Sequence, residues 1–254
     1  MTELTLPIII VLFGGGLLAG FVDSIAGGGG LISVPILLSV GLPPHLALGT
    51  NKLQSSFGSL TASLNYSRGG LVKVKQLAGA IIFTAIGAAF GTITIQQLSA
   101  DVLRTVIPIL LLAAFIFLLF SKNNGALDQP PKVKPEIFYV VFGLLLGFYD
   151  GFFGPGTGSF WMLAFIILMG FNSKKATAHT KWLNFTSNII ALTFFAWQGN
   201  VLVIPGLVMA GGQLSGAFFG SRLVLRSGTK LIRTFLLVVI AATITQLLYT
   251  TYFQ

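Results

Sequence analysis

The chain has 254 residues, of which 54% are hydrophobic and only 8% charged, with a net charge of +9 and a mean hydropathy of +0.91. Soluble domains carry roughly a quarter charged residues, so this composition excludes an ordinary water-soluble domain and indicates an integral membrane protein. The absence of cysteine excludes disulfides, thiolate metal sites and cysteine nucleophiles. The basic excess sits in loops between apolar runs, the cytoplasmic bias of a membrane protein rather than a nucleic-acid footprint.

The first apolar run, Leu6–Val22, follows no basic stretch and precedes no small-residue cleavage site, so it reads as a retained helix and not a signal peptide. It runs into GFVDSIAGGGG (Gly20–Gly30), where one acid and a glycine cluster break the apolar pattern. The next piece, Leu31–Val40, is about 15 Å long as a helix, too short to cross a bilayer alone. The spacing therefore predicts a hairpin of incomplete helices with the glycines at its bend. Spans are expected near Leu46–Tyr66, Gln76–Ile95 and Val102–Phe120. After a polar, proline-rich linker, NNGALDQPPKVKPE (Asn123–Glu136), a second hairpin is expected from Ile137–Tyr149 and Ser159–Met169, around GFYDGFFGPGTG (Gly147–Gly158). The charge-free stretch Trp182–Ser221 is punctuated by Gly199-Asn200 and predicts two spans with a tight turn, and Thr234–Gln254 predicts a last one.

The halves are copies. Gly20, Phe21, Asp23 and Gly27 align with Gly147, Phe148, Asp150 and Gly154; two residues further out of register, Gly41, Ala47, Lys52 and Gly70 align with Gly170, Ala176, Lys181 and Gly199. GAAFG (Gly87–Gly91) aligns with GAFFG (Gly216–Gly220), and Arg104 with Arg233. This divides the chain into repeats at 1–122 and 137–254 joined by a cytoplasmic linker, 123–136. Basic loops alternate between the copies: Arg68, Lys73 and Lys75 face a neutral loop around Gly199, and Lys174 and Lys175 face the neutral Gly41–Ala47. Equivalent loops are thus expected on opposite sides of the membrane, with both termini outside. The fold class predicted is an all-α polytopic membrane protein of two inverted-topology repeats, each a broken-helix hairpin plus about three transmembrane helices.

Polar residues in an apolar setting mark the candidate site. Irregular backbone at membrane depth is tolerated only against protein or a wet cavity, and a helix starting after a glycine bend offers N–H groups to an anion. Gly28, Gly29, Gly30, Gly156 and Thr157 are candidates for that role, against the alternative that such glycines only permit close helix packing. For Gly87–Gly91 and Gly216–Gly220 the packing reading is preferred. Asp23 and Asp150 are either proton carriers or structural partners of a base, and the residues leave both roles open. A second constellation, ALGTNKLQSSFGS and ATAHTKWLNFTSN, sets Asn51, Lys52 and Ser55 in one polar row and Thr180, Lys181 and Asn184 in the other. Lysine there is a binding charge or a snorkelling end residue; the binding reading makes Lys52 and Lys181 the centre of an anion site at the repeat interface. His179 reads as a polar packing residue and His45 receives no role.

These residues also carry a resemblance. GFVDSIAGGGGLISVP followed by ALGTNKLQ, then GFYDGFFGPGTGSF followed by KATAHTKWLN, resemble the TauE/SafE sulfite-exporter family over almost the whole chain, with the YfcA-like members most similar. The resemblance implies a bacterial inner-membrane, multi-pass permease for sulfur-containing anions such as sulfite, sulfonates or organosulfur acids, with Asp23, Asn51, Lys52, Asp150 and Lys181 on the family's polar motif positions. The expected function is a secondary transporter of a small anion in the lipid bilayer, working by alternating access, with proton coupling and a homodimer as open points; a passive anion channel is the alternative. No P-loop, cofactor motif or metal-ligand set occurs, so no cofactor, metal or nucleic-acid partner is expected. An enzyme using Ser159 and His179 is disfavoured, because no orienting acid lies near either.

Overall fold

The computed structural model describes residues 4–120, 125 and 127–227, and these are helical throughout, without a strand. Among the described residues nine α-helices follow in order: α1 Leu6–Ala26, α2 Gly30–Ser39, α3 Pro44–Arg68, α4 Ala78–Gln96, α5 Ala100–Phe120, α6 Pro135–Phe152, α7 Thr157–Leu168, α8 Ser173–Trp197 and α9 Val203–Ser227. Five helical segments among the described residues are long and apolar enough to cross a membrane: Leu6–Ala26, Val74–Gln96, Ala100–Phe120, Pro135–Phe152 and Val203–Arg226. The expected last span at 234–254, together with Lys230 and Arg233, lies outside the described residues.

One expectation is corrected. The first arm of each hairpin is not an incomplete helix: α1 has 21 residues and α6 has 18, both long enough to span. The helices run on through the acids Asp23 and Asp150 and end only at the glycines. Only the return arms, α2 with 10 residues and α7 with 12, are short. A single carboxylate in a helix does not stop it when its backbone groups stay bonded, whereas Gly27, at φ 77°, does.

The helices sort by composition into two layers. The polar helices α3 and α8, 25 residues each, bury most of their Ser, Thr, Asn, Gln and Lys side chains and pack against one another. Around them stand the apolar helices, whose exposed faces are large hydrophobics such as Ile10, Phe90, Leu145 and Phe219. A polar row could not face lipid, so it becomes the core of the molecule while leucine and phenylalanine face outward.

Packing between the halves is reciprocal. α1 packs on α9, and α6, the counterpart of α1, packs on α4, the counterpart of α9. Both contacts are made by glycines. A Cβ at Gly20 would meet Gln213 Cα at 2.9 Å, and one at Gly147 would meet Thr84 Cα at 2.9 Å. Gly87, Gly91 and Gly216 likewise abut main-chain atoms of the facing helix, as the packing reading of the GAAFG and GAFFG stretches expects.

The described part of the linker docks on the α7–α8 corner. The amides of Gln129 and Lys132 donate to Gly170 O (2.7 Å) and Leu168 O (2.8 Å), and Asp128 accepts from the Asn172 amide at 2.7 Å. That bond, followed by the Lys175 ammonium 3.5 Å away, holds the Asp128 carboxyl below its ordinary value despite the opposing cost of burial.

Candidate functional site

The two glycine bends meet. A Cβ on Gly158 would lie 2.5 Å from Gly27 Cα, and one on Gly30 would lie 3.0 Å from Pro155 Cα, so neither bend could carry a side chain where it touches the other. Ser159 Oγ donates to Ala26 O at 2.6 Å and ties α7 to the end of α1. Ser159 is thereby occupied in holding the bends together. His179 sits apart, its Nδ1–H donating to Lys175 O (2.8 Å) and its ring packed against Phe165 and Phe171.

The lysines and acids pair across the halves. Lys52 of α3 holds Asp150 of α6 at 2.6 Å, and Lys181 of α8 holds Asp23 of α1 at 3.0 Å. All four lie in the interior, with both lysine side chains at most 1% exposed. An isolated charge there would be very costly, and each ion pair offsets that cost only because its partner is fixed opposite it. Lys52 Nζ also donates to the Asp150 main-chain oxygen at the C-terminal end of α6, where the helix dipole adds to the attraction. Asp150 accepts a further bond from Ser187 Oγ.

Between the pairs lies a polar cavity of about 20 Å³, room for roughly one water. Its wall includes Asp23, Gly30, Asn51, Lys52, Asp150 and Asn184, completed by Gly27, Ser55, Gly154, Thr157, Gly158 and Asn188. A layer behind the wall holds it in place: Gln54 Nε2 donates to Asn51 Oδ1 (2.8 Å) and to Ser55 Oγ (2.9 Å), and Ser33 Oγ donates to Asn51 Oδ1 (2.6 Å). The wall thus carries amide and hydroxyl groups at one side and carboxylates at the other.

Of the expected site residues, Asp23, Gly30, Asn51, Lys52, Ser55, Asp150, Thr157 and Asn184 line this space. Lys181 stands behind Asp23, one step from the wall. Gly28 and Gly29 serve the bend itself: the Gly29 amide points at Asp23 Oδ1 (3.4 Å), and Gly28 O accepts from Leu31 N. Gly156 faces Ala114 and Phe160 instead of the cavity, and Thr180 is buried with its hydroxyl unpartnered. The expected free N–H groups at the helix starts are reduced, since tight turns occupy those of Leu31, Ile32, Thr157 and Ser159. Sequence reasoning missed Ser33, Gln54 and Ser187. Of these, Gln54 and Ser187 stood within the quoted polar rows, and their mid-helix positions one turn from Asn51 and Asn184 were the available signal.

A multi-pass helical protein with a buried, charge-paired site between two duplicated halves belongs to the class of membrane transporters. The chain is a member of the TauE/SafE family: the family described as Sulfite exporter TauE/SafE matches residues 12–247. It is 45% identical over 248 residues to the Sinorhizobium protein "Probable membrane transporter protein ORF9", covering 98% of this chain and 95% of that one. It is 45% identical over 244 residues to "Probable membrane transporter protein YfcA" of Escherichia coli K12 (96% and 91%), and 43% identical over 235 residues to "Probable membrane transporter protein" of Haemophilus influenzae (91% and 91%). No solved structure matches the chain at a significant level. The chain is thus a multi-pass membrane transporter of the bacterial inner membrane.

Proposed function

We propose that this protein is a secondary transporter of a small sulfur-containing oxyanion, for which sulfite, named in the family description, is the first candidate. The observation that carries the proposal is the crossed Lys–Asp pairing around a cavity walled by the polar side chains of Asn51, Ser55 and Asn184. Two lysines and two aspartates make the empty site neutral. An entering monoanion that takes a lysine must free a carboxylate, and one proton on that carboxylate restores neutrality; this supports co-transport of anion and proton. The cavity's size supports alternating access over an open pore, because even a four-atom oxyanion needs the ion pairs to part before it fits. The alternation of basic loops and the reciprocal packing of α1 on α9 and α6 on α4 support inverted repeats related by an axis in the membrane plane.

In proteoliposomes, Lys52→Ala and Lys181→Ala are each expected to lower sulfite flux by about two orders of magnitude, as loss of a buried charge contact does. Wild-type flux in both folded variants would refute the anion site. For the topology, a cysteine replacing Gly125 is expected to react with an impermeant maleimide only from the cytoplasm, and one replacing Asn200 only from outside. Reaction of both from one side would break the inverted arrangement.

A further inference from the structure

The two ion pairs are unequal. Asp150 is held on both oxygens, by Lys52 Nζ at 2.6 Å and by Ser187 Oγ, and its side chain is 4% exposed. Asp23 has Lys181 at 3.0 Å and, on its other oxygen, only the Gly29 amide at 3.4 Å, and its side chain is 14% exposed. The difference traces to one position. In the register that aligns Lys52 with Lys181, the counterpart of Ser187 is Gly58, which has no hydroxyl to give.

What stands there instead is Gln213 of α9. A Cβ on Gly58 would meet Gln213 Nε2 at 2.7 Å, so the amide fills the place that a serine side chain takes in the other half. Its main chain lies against Gly20, one turn before Asp23 on α1. Gln213 is fully buried, and neither its Nε2 nor its Oε1 has a hydrogen-bond partner. A buried amide with both ends unpaired is expensive and rare, so it points to a partner taken up in another arrangement. Its counterpart on α4 is Thr84, a much shorter side chain.

We propose that Lys181–Asp23 is the ion pair that opens during transport, that Lys52–Asp150 is a fixed strut, and that Gln213 is the positioning residue that receives Asp23 when Lys181 turns to the anion. This rests on the anion-site reading above and names the half of the site that moves. Asp23 faces Lys181 from α8, Tyr66 from α3, and Lys52 with Asp150 across the cavity; from α9 the neutral Gln213 stands against Gly20, one turn before Asp23. An amide N–H can stabilise a carboxylate or accept a protonated one through its oxygen, so Gln213 serves Asp23 in either charge state.

The test needs no substrate. Purified protein in detergent, without added anion, is treated with dicyclohexylcarbodiimide, which attacks carboxyls that leave their cation and take up a proton. Modification of Asp23 is expected to be about tenfold faster than that of Asp150, a difference of about 1.4 kcal/mol in the opening equilibrium. Equal rates, or faster reaction at Asp150, overturn the division of roles; because no anion is present, that result is separable from a failure of sulfite as substrate. The double variant Gly58→Ser/Gln213→Thr installs on the Asp23 side the residue types that stand at the equivalent positions on the Asp150 side, Ser187 and Thr84. It is expected to slow Asp23 modification about tenfold and to lower the maximal rate of sulfite exchange by a similar factor, with the half-saturating concentration within about twofold. Gln213→Leu, which keeps the volume and removes the amide, is expected to lower the maximal rate in the same way. Wild-type maximal rate and wild-type carbodiimide reactivity in either variant overturn the role of Gln213.

Discussion

The first bend and the second arise from one duplicated pattern, yet they are built with different stiffness. The second is laced by its own side chains: Tyr149 Oη donates to Pro155 O (2.9 Å), Thr157 Oγ1 donates to Gly154 O (2.6 Å), and Pro155 separates two glycines with positive φ. The first is four consecutive glycines, with one of them, Gly27, in the left-handed region, Ser33 Oγ 3.1 Å from Gly29 O, and the Gly29 amide 3.4 Å from Asp23 Oδ1. The laced bend adjoins the doubly held Asp150, and the barer bend adjoins Asp23. The two bends share the crossing of charges and differ in a few side chains.

The comparison is broken most directly at the lysines. Lys52→Ala leaves Asp150 buried with no cation and is expected to destabilise the protein by about 3–5 kcal/mol. Lys181→Ala is expected to cost clearly less, about 1–2 kcal/mol, because the Asp23 side chain is 14% exposed where that of Asp150 is 4%. Denaturation in detergent measures both, and equal losses would erase the distinction between the pairs. The contact between bends comes next. Gly27→Ala puts a Cβ into Gly158 at φ 77° and is expected to cost about 3 kcal/mol, against about 1 kcal/mol for Gly70→Ala, which has φ 75° but open space around it. A similar cost at the two positions would mean that bend-to-bend contact is unimportant. The smallest effect lies at the linker. Asp128 is lowered below its ordinary 3.8, so its contribution is complete above that value and is lost as pH falls through the lower folded value. Amide exchange at Asn172 is expected to be unchanged from pH 7 to pH 5 and to accelerate, after correction for intrinsic rates, below about pH 4; protection that persists in acid would place the anchor elsewhere.

Much of this was legible in the chain. Asp23, Asp150, Lys52 and Lys181 stand out because charges are scarce in an apolar sequence, and their duplication marks them a second time. The glycine clusters announce breaks, and the bends fall there. The lengths of α1 and α6 were less legible, since an acid in an apolar run looks like an end when the partner that neutralises it is 158 or 98 residues away. Ser187 stood in a quoted polar row, but its role, like that of Gln213, was not legible there, because it depends on which residue faces it across a helix interface.

The sequence alone determined that the chain enters a membrane, that it is a duplication, and where its helices break, because hydropathy, repetition and glycine content are local properties. Only the tertiary structure decided that each lysine takes the acid of the other half. Coulomb attraction is indifferent to chain order, and α3 and α8 bury their polar rows together at the centre, so the nearest carboxylate to each lysine belongs to the opposite repeat.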